Sequence, residues 1–347
     1  MLRLTRAATP ATSLLRRAFA SAPPAAPVLD KSRFVLSYDE QSFPRGFSCS
    51  STHAGVKKKA GALDLGLVVS DAAAGQTSAA ACFTRNAFKA APVNVSRDVL
   101  LNEGGRARAL IVNSGCANAV TGSQGMRDAL AMVESVDSLL STNTEGQAPS
   151  KKTLVVSTGV IGQCLPISPI LSAIPGLHSS LASTPDAWLG LAKAFMTTDT
   201  FPKLRTRTFK LKGHEVRLAG IDKGAGMIHP SMGPPQPVAA LHGTLLGVIA
   251  TDAAISPPAL QAALTHAVER SFNSITVDGD MSTNDTIVAF ANGASGMEAE
   301  IEEHDPEFAV FRDELTSFAE ELAQLVVRDG EGATKFVTIT VKVGPAS

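Results

Sequence analysis

Seven short apolar stretches, recurring with glycine-rich turns, constrain this chain more than any other feature. They read ALDLGLVVSD, RALIVNSGCANAVTG, KTLVVSTGVIG, GTLLGVIATDA, SITVDGD, DTIVAFANG and TKFVTITVKV. Each has the length and bounding residues of a strand. Between them lie helix patterns. In the segment 257–272, Leu260, Ala263, Leu264, Ala267, Val268 and Phe272 recur at three and four, which places them on one helical face. The segment 306–330 repeats that pattern and stops at Gly330, a natural helix end. A third helix is expected to begin near Ser183 or Thr184 and to end before the threonines at 197–198. Strand pairs separated by helices, rather than strict alternation of one strand and one helix, predict an α/β protein of the layered α+β sandwich kind, not a doubly wound sheet. With 347 residues, 44% of them hydrophobic, the chain can build one large or two ordinary domains. No apolar run is long enough to span a bilayer, so a soluble protein with no membrane partner is expected.

Residues 1–28 stand apart. They contain Arg3, Arg6, Arg16 and Arg17, many Ser, Thr and Ala, and no acid. That composition predicts a mitochondrial transit peptide and a matrix location, with an unaddressed disordered tail as the alternative. Arg16 and Arg17 interrupt what a secretory signal would need as its apolar core. Removing these four arginines from the formal charge of −1 leaves −5, and the chain has one Trp and one Tyr. A mildly acidic body without a basic stripe argues against nucleic acid as a partner. Cys49, Cys82, Cys116 and Cys164 are scattered without C-x-x-C or zinc spacing, so free thiols are expected. Cys116 and Cys164 lie near glycine-rich turns, where a half-buried filler role is favoured over a nucleophilic one.

The signatures of nucleotide hydrolysis, zinc proteolysis and the hydrolase elbow are absent. What stands out is Thr beside Gly or a loop: Thr158–Gly159, Thr197–Thr198, and Thr244 after Gly243. A Thr hydroxyl is a weak nucleophile unless a base adjoins it, and the nearest base is its own α-amine, freed when the preceding peptide bond breaks. That amine has a reference pKa of about 8, which suits it to accept the hydroxyl proton. An ordinary strand Thr explains the same residue. Asp278, Asp280 and Asp285 suggest a metal loop by composition, but their spacing lacks the rest of an EF-hand, and turn or capping roles are expected instead.

Seven ordered motifs carry a more specific signal: NSGCANAVTG, STGVIGQCLP, MTTDTFPK, KGAGMIHPSM, TLLGVIATDA, FNSITVDGDMSTNDT and RDGEGATK. Together they resemble the ornithine acetyltransferase (ArgJ) family of arginine biosynthesis, from about Lys31 to the last expected strand. The resemblance implies a sandwich related to N-terminal-nucleophile hydrolases, cut between Gly243 and Thr244. The implied segments are a transit peptide at 1–28, an α chain at 29–243 and a β chain at 244–347, paired further into an α2β2 assembly. It implies Thr244 as the acyl-carrying nucleophile, Thr158 and Gly159 as the oxyanion hole, and Thr197, Lys223, Thr244 and Glu331 as substrate contacts. The spacing of the family motif selects Thr197 over Thr198. Ping-pong transfer of acetyl from N2-acetyl-L-ornithine to L-glutamate needs no metal or cofactor, and some family members also take acetyl-CoA as donor. Lys223 is assigned to the substrate α-carboxylate and Glu331 to its side-chain ammonium.

Two departures qualify the resemblance. Residues 233–242, GPPQPVAALH, separate Met232 from Gly243, where the family has no such segment. The family's chains also continue beyond the strand that follows DGEGATK and draw substrate contacts from there, so a C-terminally truncated β chain is the expectation. Two alternatives therefore stand beside acetyl transfer: an N-terminal-nucleophile aminopeptidase or amidohydrolase, and an inactive truncated homologue.

Overall fold

The computed structural model describes residues 30–73, 75–141, 152–235 and 245–342. The expected transit peptide at 1–28, the cut site Gly243–Thr244 and most of the segment 233–242 lie outside the described residues. From Lys31 onward the chain forms one compact unit.

In chain order, β1 (Phe47–Thr52), β2 (Leu65–Ser70) and β3 (Ser78–Thr84) precede α1 (Ala91–Asn102). Then come β4 (Ala109–Cys116), α2 (Gly122–Leu140), β5 (Thr153–Val160), α3 (Ile167–Ser179) and α4 (Pro185–Phe195). The hairpin of β6 (Lys203–Leu211) and β7 (His214–Lys223) is followed by the two-residue β8 (Met232–Gly233), β9 (Leu246–Thr251), α5 (Pro257–Arg270), β10 (Thr286–Ala291) and α6 (Phe308–Arg328). One sheet has the order β1-β2-β4-β5 and the other β6-β7-β9-β10-β3-β8. Both are mixed: β4 and β5 run parallel, as do β9 and β10, while the remaining pairs are antiparallel. The layered α/β sandwich is therefore the observed architecture.

Three apolar layers hold it together. The first lies between the four-stranded sheet and α2–α3, where Leu65, Leu67 and Ile111 meet Met132, Val133 and Ile170. The second fills the space between the sheets, with Leu110, Val112 and Val156 on one side and Ile221, Leu246 and Val288 on the other. Helix α4 enters this layer through Trp188, Leu191 and Phe195, touching strands of both sheets. The third packs Ile249, Ile287 and Ala289 against Leu260, Leu264, Phe318 and Leu322 of α5 and α6. Full burial of each Leu, Ile or Phe contributes about 1.5–3 kcal/mol before ordering costs. Among the described residues no helix is long and apolar enough to cross a membrane.

Local chemistry sets the element ends. Thr184 and Ser256 cap α4 and α5, each accepting from the backbone N–H three residues on, with Pro at the first helical position. Lys212 and Gly213 both have positive φ (49° and 79°) and close the β6–β7 hairpin in the mirror-image turn that strand twist favours.

Two expectations are corrected. The segment 274–280 is not a strand: a short 3-10 turn, Phe272–Ser274, runs into a loop that Asp278 ties to the backbone of Met227 and Ile228. The described residues 334–342 form no strand either, although their apolar residues alternate, because alternation without a ladder partner is only an extended segment; Val337, Ile339 and Val341 stand 70%, 84% and 80% exposed. Helix α6 does stop where Gly330 marks its end, at Arg328 with Asp329 as the C-cap, although Gly330 is not in the left-handed region. A Cβ at Gly330 would come within 2.9 Å of Val277 Cγ1, so close packing explains this glycine.

Candidate active site

The site begins where the parallel strands β4 and β5 end in an irregular register at Gly115 and Cys116. Gly159 has φ 131° and Gly115 φ 113°, in the left-handed half of the map. Their backbones touch: a Cβ on Gly159 would sit 2.3 Å from the Gly115 carbonyl carbon and 2.6 Å from the Cys116 nitrogen. The turn carrying Thr158–Gly159 is thus shaped by close backbone approach.

A polar network fixes this turn from behind. Asn113 Nδ2 donates to the Cys116 carbonyl (2.8 Å), and Ser157 Oγ donates to Asn113 Oδ1 (2.6 Å). Asn284 Nδ2 donates to the carbonyls of Ala117 (2.6 Å) and Ser157 (2.8 Å), joining the loop before β10 to the ends of β4 and β5. Cys116 is buried and its Sγ donates to the Gln163 carbonyl. Burial raises its thiol pKa, which disfavours the thiolate. All four cysteines are free thiols; Cys164 is exposed, against the filler role expected for it.

Opposite the turn, Lys223 closes β7. Its Nζ donates to Thr158 Oγ1 at 3.4 Å and lies 4.0 Å from Asp199 Oδ2. Burial lowers the Lys223 pKa, Asp199 pulls it back up, Lys203 lowers it, and Asp285 and Glu331 raise it. Asp199 organises the surroundings. Its Oδ2 accepts from the Thr197 backbone N–H (2.9 Å), and its Oδ1 accepts from Lys203 Nζ (2.6 Å) and the Gly224 N–H (2.8 Å). Burial alone would raise its pKa, but Lys223, Lys203 and these hydrogen bonds hold it far below the usual carboxylate range.

Thr197 is half-buried and Thr198 exposed. Glu331 is exposed; its N–H donates to the Ala225 carbonyl (2.7 Å), and its carboxyl group lies over Gly226, 2.9 Å from where a Cβ would stand. The fold therefore brings Thr158, Gly159, Thr197, Lys223 and Glu331 to one region. Thr244 lies outside the described residues, but its neighbour does not. The Leu245 carbonyl accepts from Thr286 N–H (2.7 Å), and Leu246 is the register partner of both Lys223 and Thr286.

Several residues escape a sequence reading. Asp199 and Asn284 lie inside recognisable motifs, yet their roles depend on partners far along the chain. Asp285 departs from its expected turn role: it is buried, neither oxygen has a hydrogen-bond partner, and burial raises its pKa well above normal while Lys223 lowers it. Asp278 does tie a turn, accepting from the N–H groups of Met227, Ile228 and Asp280. Among the described residues no three or more His, Cys, Asp or Glu side chains are placed to hold a metal ion.

Two stacked mixed sheets flanked by helices, with a backbone turn and a buried cation converging at their strand ends, define a layered α/β enzyme. The fold is shared with the PH0078 protein of Pyrococcus horikoshii OT3, at TM-score 0.50 and 13% identity over 84% of this chain and 86% of that one. Higher sequence identity is found to the ornithine acetyltransferase of Mycobacterium tuberculosis, solved in complex with ornithine. It is 36% identical over 55% of this chain and 95% of that one, with TM-score 0.48. The mitochondrial arginine biosynthesis bifunctional protein ArgJ of Cryptococcus neoformans is 59% identical over 355 residues, 97% of this chain and 73% of that one. A sequence profile of the ArgJ family matches residues 48–346. The chain belongs to the ArgJ family.

Proposed function

We propose that this chain is a self-cleaving acetyltransferase of arginine biosynthesis in the mitochondrial matrix, moving acetyl from N2-acetyl-L-ornithine to L-glutamate. The observation that carries the proposal is the meeting of the Thr158–Gly159 turn with Lys223 at 3.4 Å, in the strand row that contains Leu246, two residues after Thr244. In this reading the bond between Gly243 and Thr244 is cut, and the freed α-amine takes the Thr244 hydroxyl proton as the oxygen attacks the acetyl carbonyl. Backbone N–H groups at Thr158 and Gly159 stabilise the oxyanion. The amide bond breaks, the leaving ornithine nitrogen takes the proton, and acetyl remains on Thr244. The neutral amine of glutamate then attacks the ester and releases N-acetylglutamate. Lys223 binds the α-carboxylate, Glu331 the ornithine ammonium, and Thr197 contributes a further substrate contact.

The proposal uses no metal or cofactor, since one amide is exchanged for another; acetyl-CoA is a second candidate donor. It places 29–243 and 244–347 in an α2β2 assembly. The two segments are not separate folding units, because β9 is hydrogen-bonded between β7 and β10 while β10 also pairs with β3. Incubation of the purified protein with N2-acetylornithine tests the reading. Acetyl transfer that depends on glutamate and gives ping-pong kinetics is expected. Steady release of acetate to water, with no dependence on glutamate, would favour the aminopeptidase or amidohydrolase alternative.

A further inference from the structure

The proposed reaction, on which this inference rests, sets one site a problem. The donor presents a side-chain ammonium and the acceptor a side-chain carboxylate, so Glu331, which suits the first, repels the second. Lys223 is committed to the α-carboxylate. Lys203 is fully buried between Asp199 and Asp329, to which its Nζ donates at 2.6 and 2.7 Å. A further cation near the site would offset that repulsion.

Lys57 meets the requirement. Its loop is clamped by the buried Asp64, whose Oδ1 accepts from the Ala54 N–H and whose Oδ2 accepts from the Lys57 N–H (2.9 Å) and lies 3.2 Å from His53 Nδ1. The Lys57 stem runs over the oxyanion turn: a Cβ on Gly115 would stand 3.2 Å from Lys57 Cγ, and Gly115 is the residue against which Gly159 is packed. Lys57 is half-buried, and its Nζ donates to the Leu63 carbonyl (2.6 Å). Among the described residues it forms no ion pair, and its Nζ has no acceptor other than the Leu63 carbonyl. Burial lowers the Lys57 pKa, Asp64 and Asp199 raise it, and Lys223 lowers it. A partly buried cation with no carboxylate in direct contact gains when one arrives. The neighbouring Lys58 and Lys59 are exposed.

We propose that Lys57 receives the side-chain carboxylate of the acceptor amino acid, and so selects glutamate in the second half-reaction. The test is steady-state kinetics of Lys57→Met and Lys57→Arg, varying N2-acetylornithine and glutamate separately. Lys57→Met is expected to raise KM for glutamate at least tenfold and to leave KM for N2-acetylornithine within about twofold. Lys57→Arg, which keeps the charge, is expected to hold KM for glutamate within about threefold of wild type. Equal rises in both KM values would assign Lys57 a structural role and overturn the proposal, as would an unchanged KM for glutamate in Lys57→Met. Failure of wild-type protein to release ornithine from N2-acetylornithine would instead overturn the acyl-transfer reading beneath it.

Discussion

Gly159 shows how much of the site rests on a single atom's absence. With φ 131° and an added Cβ only 2.3 Å from the carbonyl carbon of Gly115, it admits no side chain, since both the backbone region and the space forbid one. Gly159→Ala should therefore destabilise the protein by about 3 kcal/mol or more and displace the Thr158–Gly159 donors. Thermal melts read the first effect and acetyl-transfer assays the second; a variant with unchanged melting temperature and activity would contradict this account of the turn. Thr158 and Gly159 are legible in the sequence because a Thr–Gly pair in STGVIG is locally conspicuous. Asp199 is not, although it stands in MTTDTFPK, because its meaning comes from Gly224, 25 residues away. Asn284 likewise acts on Ala117 and Ser157, 167 and 127 residues away. No local pattern records such partners.

At the scale of elements, Lys203 of β6, Asp222 of β7 and Asp329 at the C-cap of α6 form one buried charged layer, with Asp199 from the loop after α4 and Lys31 from the N-terminal segment. The Asp222 carboxyl group has no hydrogen-bond partner among the described residues. Burial raises its pKa well above normal, Lys203 lowers it and Asp199 raises it again. A carboxyl group whose pKa is raised in the folded state binds more protons there than in the unfolded chain, so its contribution to stability falls as pH rises above the unfolded value of about 4. Asp222→Asn removes that penalty. The variant should melt a few degrees above wild type near pH 8, with the difference shrinking toward pH 4. A difference that is constant with pH would show that Asp222 does not titrate as described.

The strands legible in the sequence were those with continuous apolar runs, such as β9 and β10. The β6–β7 hairpin was not, because Arg205, Arg207, Lys210 and Glu215 dilute its alternation. Nor was β3, three of whose seven residues are Ala, a short side chain that carries little strand signal. The segment 334–342 misled for the opposite reason, since its alternation is strong and its ladder missing.

For the whole molecule, the six-stranded sheet relates the cut to the fold. One row of register partners runs Lys223, Leu246, Thr286, Phe83, Gly233. Gly233, the last residue of β8, and Leu246, the first of β9, are thus three strand positions apart, about 14 Å at the usual strand spacing. The proposed break comes just before β9, a strand held on both sides, so the two fragments should remain associated after cleavage and separate only on denaturation. Intact-mass spectrometry of the purified protein under denaturing conditions, with sequencing of any new N-terminus, tests this most directly. The account predicts two masses, the second belonging to a chain that begins Thr-Leu-Leu-Gly at residue 244, and a single uncut mass for Thr244→Ala. A single uncut mass for the wild-type protein would contradict it.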